Sequence, residues 1–265
     1  MKEITISTWE TLVYASAKAE VDFGYVTVWF RGQPRFGEGW QLVANVFRQF
    51  NFAQEADLTN RFRLQAPSRS SNCPSFEAIA DWLCLMRHHG LPTRLLDWTQ
   101  SILVAAFFAV DEDEYAKDEG VIYVLAPGLL NRRWGGEGRI FQMKQQTLAS
   151  TLQAAFLTGK PSDQVFAALP SEIDPRMLLQ QSVFTIHGSA KPLEQFPNSD
   201  EFLMRFIIPP EMKPRIQDVL RLCGITQATL FPDLGHLADQ LVKQQELIAS
   251  GLRARGRPPT GEEAQ

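Results

Sequence analysis

The chain has 265 residues, 45% of them hydrophobic and 21% charged, with a formal net charge of −4. This composition is typical of a globular protein with one main domain, and the mildly negative charge argues against a protein that binds nucleic acid over its whole surface. The longest apolar run is about half the length of a membrane span and the N-terminus has no secretory pattern, so we expect a cytoplasmic protein with no membrane partner.

The first predicted strand carries an Arg-Gly pair at its end. Residues 25–30 are β-branched or aromatic and predict a strand that stops in a turn at residues 31–34, Arg-Gly-Gln-Pro. Glycine at a strand end would let a ligand approach the backbone closely. Apolar residues at helical spacing then predict a helix within residues 40–52.

Polar residues concentrate in residues 87–99, between two predicted helices. Ser75 is a candidate N-cap for the first helix, which runs to His88 and is broken at Gly90-Leu91-Pro92. The second helix, residues 101–110, is apolar on every face and belongs in a core. Charged groups beside a core are costly, so residues 87–99 mark a candidate site.

The second half of the chain continues with strands and then helices. Residues 127–175 are irregular and look like an insertion, with a helix near residues 145–157. Predicted strands occupy residues 121–125, 182–187 and 202–208. Predicted helices occupy residues 216–223, closed by Gly224, and 234–252, followed by a disordered tail at 253–265. The order of elements predicts an α+β fold with a mixed or antiparallel sheet core flanked by helices.

The thiols and the basic residues give weaker signals. Three cysteines lack metal-type spacing, and Cys84 and Cys223 lie in apolar patterns, so we expect buried, reduced thiols. Basic residues cluster in two places that could form a local groove, although such clusters are most often solvated. They are Arg61, Arg63 and Arg69, and Arg132, Arg133 and Arg139.

Two motifs resemble the FRG-domain family, which is named for a (Phe/Tyr)-Arg-Gly motif near its N-terminus. The first is Phe30-Arg31-Gly32-Gln33 and the second is residues 88–99, HHGLPTRLLDWT. The likeness continues through residues 107–109, 121–124, 181–187, 224–226 and 230–234. We therefore expect a single FRG-like α+β domain over residues 1–252.

The order of elements is also similar, more distantly, to the ADP-ribosyltransferase superfamily. This resemblance implies an NAD-dependent enzyme that splits NAD⁺ between nicotinamide and ribose through an oxocarbenium-like state. ADP-ribose would pass to a nucleic-acid or protein acceptor. The resemblance further implies a bacterial toxin or anti-phage effector with an antitoxin or immunity partner.

The same resemblance assigns catalytic roles to Arg31, His89 and Gln181. The superfamily's usual catalytic glutamate has no clear counterpart here, and Gln181 lies where we would expect it. Glutamine can hydrogen-bond a ribose but cannot act as a base. Glu172 and Glu211 are weaker substitutes.

The resemblance also implies a set of residues that bind NAD⁺. Arg31 would hold the pyrophosphate by a charge-assisted contact. Threonines would position the ribose, and Trp98, Phe30 or Tyr123 would stack on nicotinamide. The predicted NAD-binding residues are Arg31, Gly32, Gln33, Thr93, Arg94, Asp97, Trp98, Thr99 and Tyr123.

Simpler structural roles remain open for several of these residues. Arg31 could form a structural salt bridge, and Asp97 could pair with Arg94 or cap the following helix. We favour a capping role for Asp233 at the last helix over a catalytic one.

Two other functions also remain open. One is a non-catalytic module that binds a nucleotide or nucleic acid in the same groove. The other is a metal-dependent hydrolase or nuclease with ligands from His88, His89, Asp97 and His187, although no spacing enforces such a site.

Overall fold

The computed structural model describes residues 1–157, 162–170 and 175–255. A mixed sheet forms its centre, with strands in the order β1-β8-β4-β2-β3-β7-β6-β5. Neighbouring strands are antiparallel, except for the parallel pairs β1–β8 and β5–β6. The strands are Lys2–Thr5 (β1), Trp29–Gln33 (β2), Leu95–Thr99 (β3), Gly120–Leu125 (β4), Phe141–Gln142 (β5), Val165–Leu169 (β6), Ser182–His187 (β7) and Leu203–Ile208 (β8).

Helices flank this sheet, which confirms the predicted α+β class. Among the described helices, none is long and apolar enough to cross a membrane. The helices are Trp9–Asp22 (α1), Val46–Gln49 (α2), Phe52–Gln65 (α3), Ile79–His88 (α4), Ile102–Val110 (α5), Pro127–Arg132 (α6), Ala149–Gln153 (α7), Pro175–Leu179 (α8), Lys213–Leu222 (α9), Gln227–Leu230 (α10) and Leu234–Arg255 (α11).

Strand alternation divides the core between the two faces of the sheet. In β4, Ile122 and Val124 point to one face, whereas Val121, Tyr123 and Leu125 point to the other. The first face carries two separate hydrophobic clusters. One lies under α1, α5 and α9, and the other lies under α4 and α7. The gap between these two clusters is where the candidate site lies.

Helix α5 lies unusually close to the sheet because glycines face it. A Cβ at Gly32 would lie 1.8 Å from the carbonyl oxygen of Ala105, and a Cβ at Gly120 would lie 2.5 Å from that of Ala109. The close approach that we expected of a ligand at Gly32 is therefore made by α5. The glycine of the Phe-Arg-Gly motif is required by helix–sheet packing.

The structure corrects several predicted elements in the first half of the chain. Arg31 and Gly32 lie inside β2 rather than in a turn, because β4 continues the ladder beside both residues. The helix expected within residues 40–52 is confined to α2, and Leu42 and Val43 are buried in a loop. Periodicity alone could not separate a buried loop from a helix here.

Two further corrections concern the polar motif and the helix before it. The expected polar turn contains β3, a strand that pairs with β7 along its length. Helix α4 begins at Ile79, and Ser75 instead accepts a hydrogen bond from the Trp82 indole through its carbonyl oxygen. Helix α3 was not predicted at all.

Most of the second half agrees with prediction. The strands expected at residues 121–125, 182–187 and 202–208 are confirmed, as are helices α9 and α11. Gly224 has the left-handed φ of +75° expected after α9. Asp233 caps α11, since its carboxylate accepts a hydrogen bond from the backbone N–H of His236 at 3.0 Å.

Other expectations for this half need revision. Residues 127–175 contribute β5 and β6 to the sheet. Cys223 is exposed rather than buried, whereas Cys84 is buried as expected. The helix expected near residues 145–157 is confined to Ala149–Gln153. Helix α11 extends to Arg255, and the tail from residue 256 lies outside the described residues.

Candidate functional site

A cleft of about 360 Å³ opens between the two clusters on the first face of the sheet. Its floor comes from β2, β3 and β7, and its walls come from α4, α5 and α8. Its lining combines aromatic rings with charged and amide side chains. The lining residues are Phe30, Arg31, Gly32, Gln33, Pro34, Trp40, Cys84, Arg87, His88, Gly90, Asp97, Trp98, Thr99, Val104, Phe108, Glu112, Arg176, Met177, Gln180, Ser182 and Phe184.

The cleft forms where β2 and β3 separate. In the described part of the sheet these strands are in register at one pair, Phe30 and Thr99. Beyond it, the Arg31 side chain takes the place of a backbone partner, since its Nη1 donates to the carbonyl oxygen of Asp97 at 2.7 Å. The split in the sheet thus places a guanidinium group in the cleft.

Asp97 is shared by two arginines at the floor of the cleft. Arg87, on the last turn of α4, donates from Nε to both carboxylate oxygens at 3.0 Å and from Nη2 to Oδ2 at 2.5 Å. The Arg31 guanidinium lies 3.9 Å from Oδ2. Two cations share one carboxylate, so the group carries one excess positive charge. Such a group can attract an anion.

The pKa shifts at the floor follow from this arrangement. Burial lowers the pKa of Arg31 to about 10, and the nearby Asp97 charge opposes that effect. For Asp97, burial alone would raise the pKa, but the charge and hydrogen bonds of Arg87 outweigh burial and lower it. All three groups are therefore ionised at neutral pH.

Two polar residues of the cleft stand apart from this ion-pair group. Gln33, at the end of β2, is 3% exposed, and among the described residues its Oε1 has no hydrogen-bond partner. Glu112 follows α5 on an exposed loop, and burial together with the Glu114 charge raises its pKa. Glu112 and Asp97 are the described carboxylates that line the cleft.

Six predicted NAD-binding residues meet in the cleft: Arg31, Gly32, Gln33, Asp97, Trp98 and Thr99. Phe30, predicted for ring stacking, also lines it. In two of the six, the polar side-chain atom already forms a hydrogen bond within the protein. The Trp98 indole donates to Oγ1 of Thr185 at 3.0 Å, and Thr99 Oγ1 donates to the carbonyl oxygen of Gln180 at 2.7 Å.

Three predicted residues are buried elsewhere. Arg94 is 1% exposed and donates to both carboxylate oxygens of Glu55, at 2.9 and 2.5 Å, and to the carbonyl oxygen of Thr151. Asp97 therefore does not pair with Arg94, as one of our alternatives held. Thr93 is fully buried and accepts the backbone N–H of Leu95. Tyr123 is 3% exposed and pairs with Arg31 across the ladder on the face of the sheet away from α5, but it does not line the cleft.

The other two predicted catalytic residues do not reach Arg31 either. His89 is exposed at the end of α4, with its ring against Phe62 and His88. Gln181 is exposed in a left-handed turn with φ of 47°, and its neighbour Gln180 lines the cleft instead. Of the substitutes for glutamate, Glu172 lies outside the described residues and Glu211 is exposed after β8.

Sequence reasoning missed several residues that the fold brings to the cleft. Arg87 stood inside the polar motif, but nothing in its spacing indicated that it pairs with Asp97. Glu112 stood in an acidic run directly after the buried helix, which was a usable signal. The others are Trp40, Phe108, Arg176, Gln180, Ser182 and Phe184.

The helix after the motif is capped by Ser101 rather than Asp97, since Ser101 Oγ accepts the backbone N–H of Val104.

The metal alternative finds no support in the described residues, where no three His, Cys, Asp or Glu side chains gather into a group able to hold a metal ion. His187 is fully buried in β7 and contacts Thr185.

Fold and cleft define an α+β protein with a cationic, aromatic-lined cleft in a split sheet. The model of the FRG domain matches residues 26–118, so this part of the chain is an FRG domain, as the sequence resemblance implied. The matched segment runs from β2 through α5 and includes Arg31, Arg87 and Asp97. No curated protein and no solved structure matches the chain.

Proposed function

We propose that the protein binds a nucleotide in this cleft. The observation that carries the proposal is the floor, where two arginines share the single carboxylate of Asp97 beneath aromatic walls. Arg31 donates one N–H to the carbonyl oxygen of Asp97, and its side chain is 19% exposed. A guanidinium group has five N–H donors, so Arg31 can still donate to a phosphate.

NAD⁺ is the nucleotide that we propose, as the substrate of an ADP-ribosyltransferase-like reaction. The rings of Trp40, Phe108 and Phe184 offer stacking surfaces in the same cleft as the two cations. A dinucleotide combines both ligand features, a pyrophosphate and aromatic rings. The distant superfamily resemblance at Arg31-Gly32 supports the same choice.

Glu112 is the carboxylate that we propose for the chemistry, in place of Gln181. In the reaction, the bond between nicotinamide and ribose C1′ breaks, and nicotinamide leaves with the bonding pair. A lone pair of the acceptor then forms the new bond to C1′, and the acceptor's proton passes to Glu112. The raised pKa of Glu112 suits a proton acceptor.

A binding module without catalysis is the second candidate. It is favoured by the state of Asp97, whose carboxylate is occupied by Arg87 and Arg31 and cannot act as a free base. Two further proposals rest on the superfamily resemblance alone. One is that the acceptor is a nucleic acid or a protein, and the other is that an inhibitory partner exists in a toxin or anti-phage setting.

The test is to incubate the protein with NAD⁺ labelled in its adenylate part, together with DNA, RNA or cell lysate. We expect nicotinamide release and transfer of label to one acceptor class. Arg31→Ala should lose NAD⁺ binding, and Glu112→Gln should bind NAD⁺ but release no nicotinamide. Arg61→Ala, at a 66% exposed side chain in α3, is the control. Binding without release supports the module, and no binding overturns both candidates.

A further inference from the structure

We propose that Lys213 is a positioning residue for Glu112, because it ties the loop after β2 to the loop after α5. This inference rests on the proposed function, in which Glu112 accepts the proton of the acceptor. Lys213 is the first residue of α9 and is not among the residues that line the cleft. It acts on the cleft through the two loops that it joins.

The first argument is what the Lys213 ammonium group contacts. It donates to the carbonyl oxygen of Pro34 at 2.7 Å and to that of Tyr115 at 2.6 Å, and the residue is 2% exposed. Lysine is almost never buried to this extent unless its charge has partners. The two carbonyl groups belong to different loops, so one ammonium group holds both loops.

The second argument is that the two loops form one wall of the cleft. Pro34 and Trp40 of the first loop line the cleft, as does Glu112 of the second. The backbone N–H of Tyr115 donates to the carbonyl oxygen of Glu112 at 3.0 Å, and the Tyr115 ring packs edge-to-face on Trp40. Because loops are more mobile than the elements that they connect, the place of Glu112 depends on the contact at Lys213.

The charges at this wall support the same role. Burial and the Glu114 charge raise the pKa of Glu112, and the Lys213 charge opposes them. Burial lowers the pKa of Lys213, and the charges of Asp118 and Glu112 oppose that effect. Lys213 and Glu112 therefore each favour the charged form of the other. A charged Glu112 is the form that can accept a proton.

Carbon-13 NMR titration of the Glu112 carboxyl tests the proposal without relying on turnover. Lys213→Gln keeps a hydrogen-bond donor but removes the positive charge, so it should raise the measured pKa of Glu112. Glu114→Gln removes a negative charge and should lower that pKa. Arg215→Gln is the control, because it removes an exposed positive charge from the same helix and should leave the pKa of Glu112 unchanged.

Hydrogen exchange measures the contact between the loops. In Lys213→Gln, the backbone amides of residues 35–41 and 112–118 should exchange about tenfold or more faster than in the wild type and in Arg215→Gln. A second measurement covers the case in which Lys213→Gln does not fold. In the wild type, the Lys213 Cε resonance should shift as Glu112 titrates, and Glu112→Gln, at an exposed position, should remove this shift.

The outcomes separate this inference from the proposed function. An unchanged pKa of Glu112 or unchanged loop exchange in Lys213→Gln overturns the role of Lys213, as does a Lys213 resonance that does not follow Glu112. If the wild type releases nicotinamide, the pH profile of that rate should move upward in Lys213→Gln, and a profile that stays in place also overturns the role. If the NMR and exchange results hold but the wild type releases no nicotinamide, the proposed reaction falls and the contact at Lys213 stands.

Discussion

At the scale of single residues, Arg31 both connects two strands of the sheet and lines the candidate site. It spans the split between β2 and β3 by donating to the backbone of Asp97, and it shares the Asp97 carboxylate with Arg87. The sequence singled out Arg31 and Asp97 through their motifs. It could not show that they meet, because 66 residues separate them and β2 and β3 become neighbours only in the sheet.

His187 provides a residue-scale prediction about pH. Burial lowers the pKa of His187 to about 3, with a smaller contribution from the Arg31 charge. Between that value and the ordinary 6.5, the unfolded chain binds a proton that the folded protein excludes, so stability falls as the pH falls. We expect this histidine to lower the free energy of unfolding by about 1 kcal/mol for each pH unit in that window.

The measurement is urea unfolding at a series of pH values between 3 and 7. His187→Gln should remove this part of the slope, whatever its effect on stability at neutral pH. His89→Gln, at the exposed end of α4, should keep the slope of the wild type. An unchanged slope in His187→Gln would contradict a buried neutral histidine.

At the scale of elements, α5 and β2 act as one unit. The sequence predicted α5 well because residues 101–110 are apolar all round, and the helix is buried as expected. It did not predict β3, because Asp97, Trp98 and Thr99 mix polar and apolar types on a strand that borders both a core and a cleft. Hydrophobic periodicity does not predict a strand when one face of that strand lines a polar site.

Gly32→Ala tests the contact between these two elements. The added Cβ would lie 1.8 Å from the carbonyl oxygen of Ala105, so α5 must move away from β2. We expect a loss of about 3 kcal/mol or more in the free energy of unfolding, measured in urea. Gly39→Ala is the control, since its Cβ meets no atom within 4 Å and its φ of +81° brings only backbone strain, about 1 kcal/mol. Equal losses in both variants would argue against the close packing of α5.

The Glu55–Arg94 pair anchors α3 to the turn before β3. Both side chains are 1% exposed, and burial raises the pKa of Glu55 against the opposing effect of Arg94. Glu55→Gln should cost about 3–5 kcal/mol of unfolding free energy, because it leaves Arg94 buried and unpaired. Replacing both residues by Met should cost less than that single change. A double-mutant cycle in urea gives both values, and additive losses would contradict a coupled pair.

At the scale of the whole molecule, the sequence predicted the class of fold and the strands β4, β7 and β8. The strands at residues 121–125, 182–187 and 202–208 were clear because each is a short, apolar or alternating run. Sheet order could not be predicted, since it depends on long-range pairing. The cleft is a consequence of that order, because β3 separates from β2 while pairing fully with β7.

This dependence on pairing explains which predicted site residues meet and which do not. Arg31, Gln33 and Asp97 stand on the two strands that separate, and so they line the cleft. Arg94 and Thr93 precede β3 and are buried outside the cleft. The motifs predicted NAD⁺ binding for all five residues and could not separate those that line the cleft from those that do not.

The central claim is that a nucleotide binds at the Arg31–Asp97–Arg87 group. A crystal structure of the protein with ADP-ribose tests it most directly, because ADP-ribose carries the pyrophosphate and cannot release nicotinamide. We predict phosphate oxygens within about 3 Å of the Arg31 guanidinium and the adenine ring inside the cleft. ADP-ribose bound at another surface, or a cleft left empty under conditions where calorimetry shows binding, would contradict the claim.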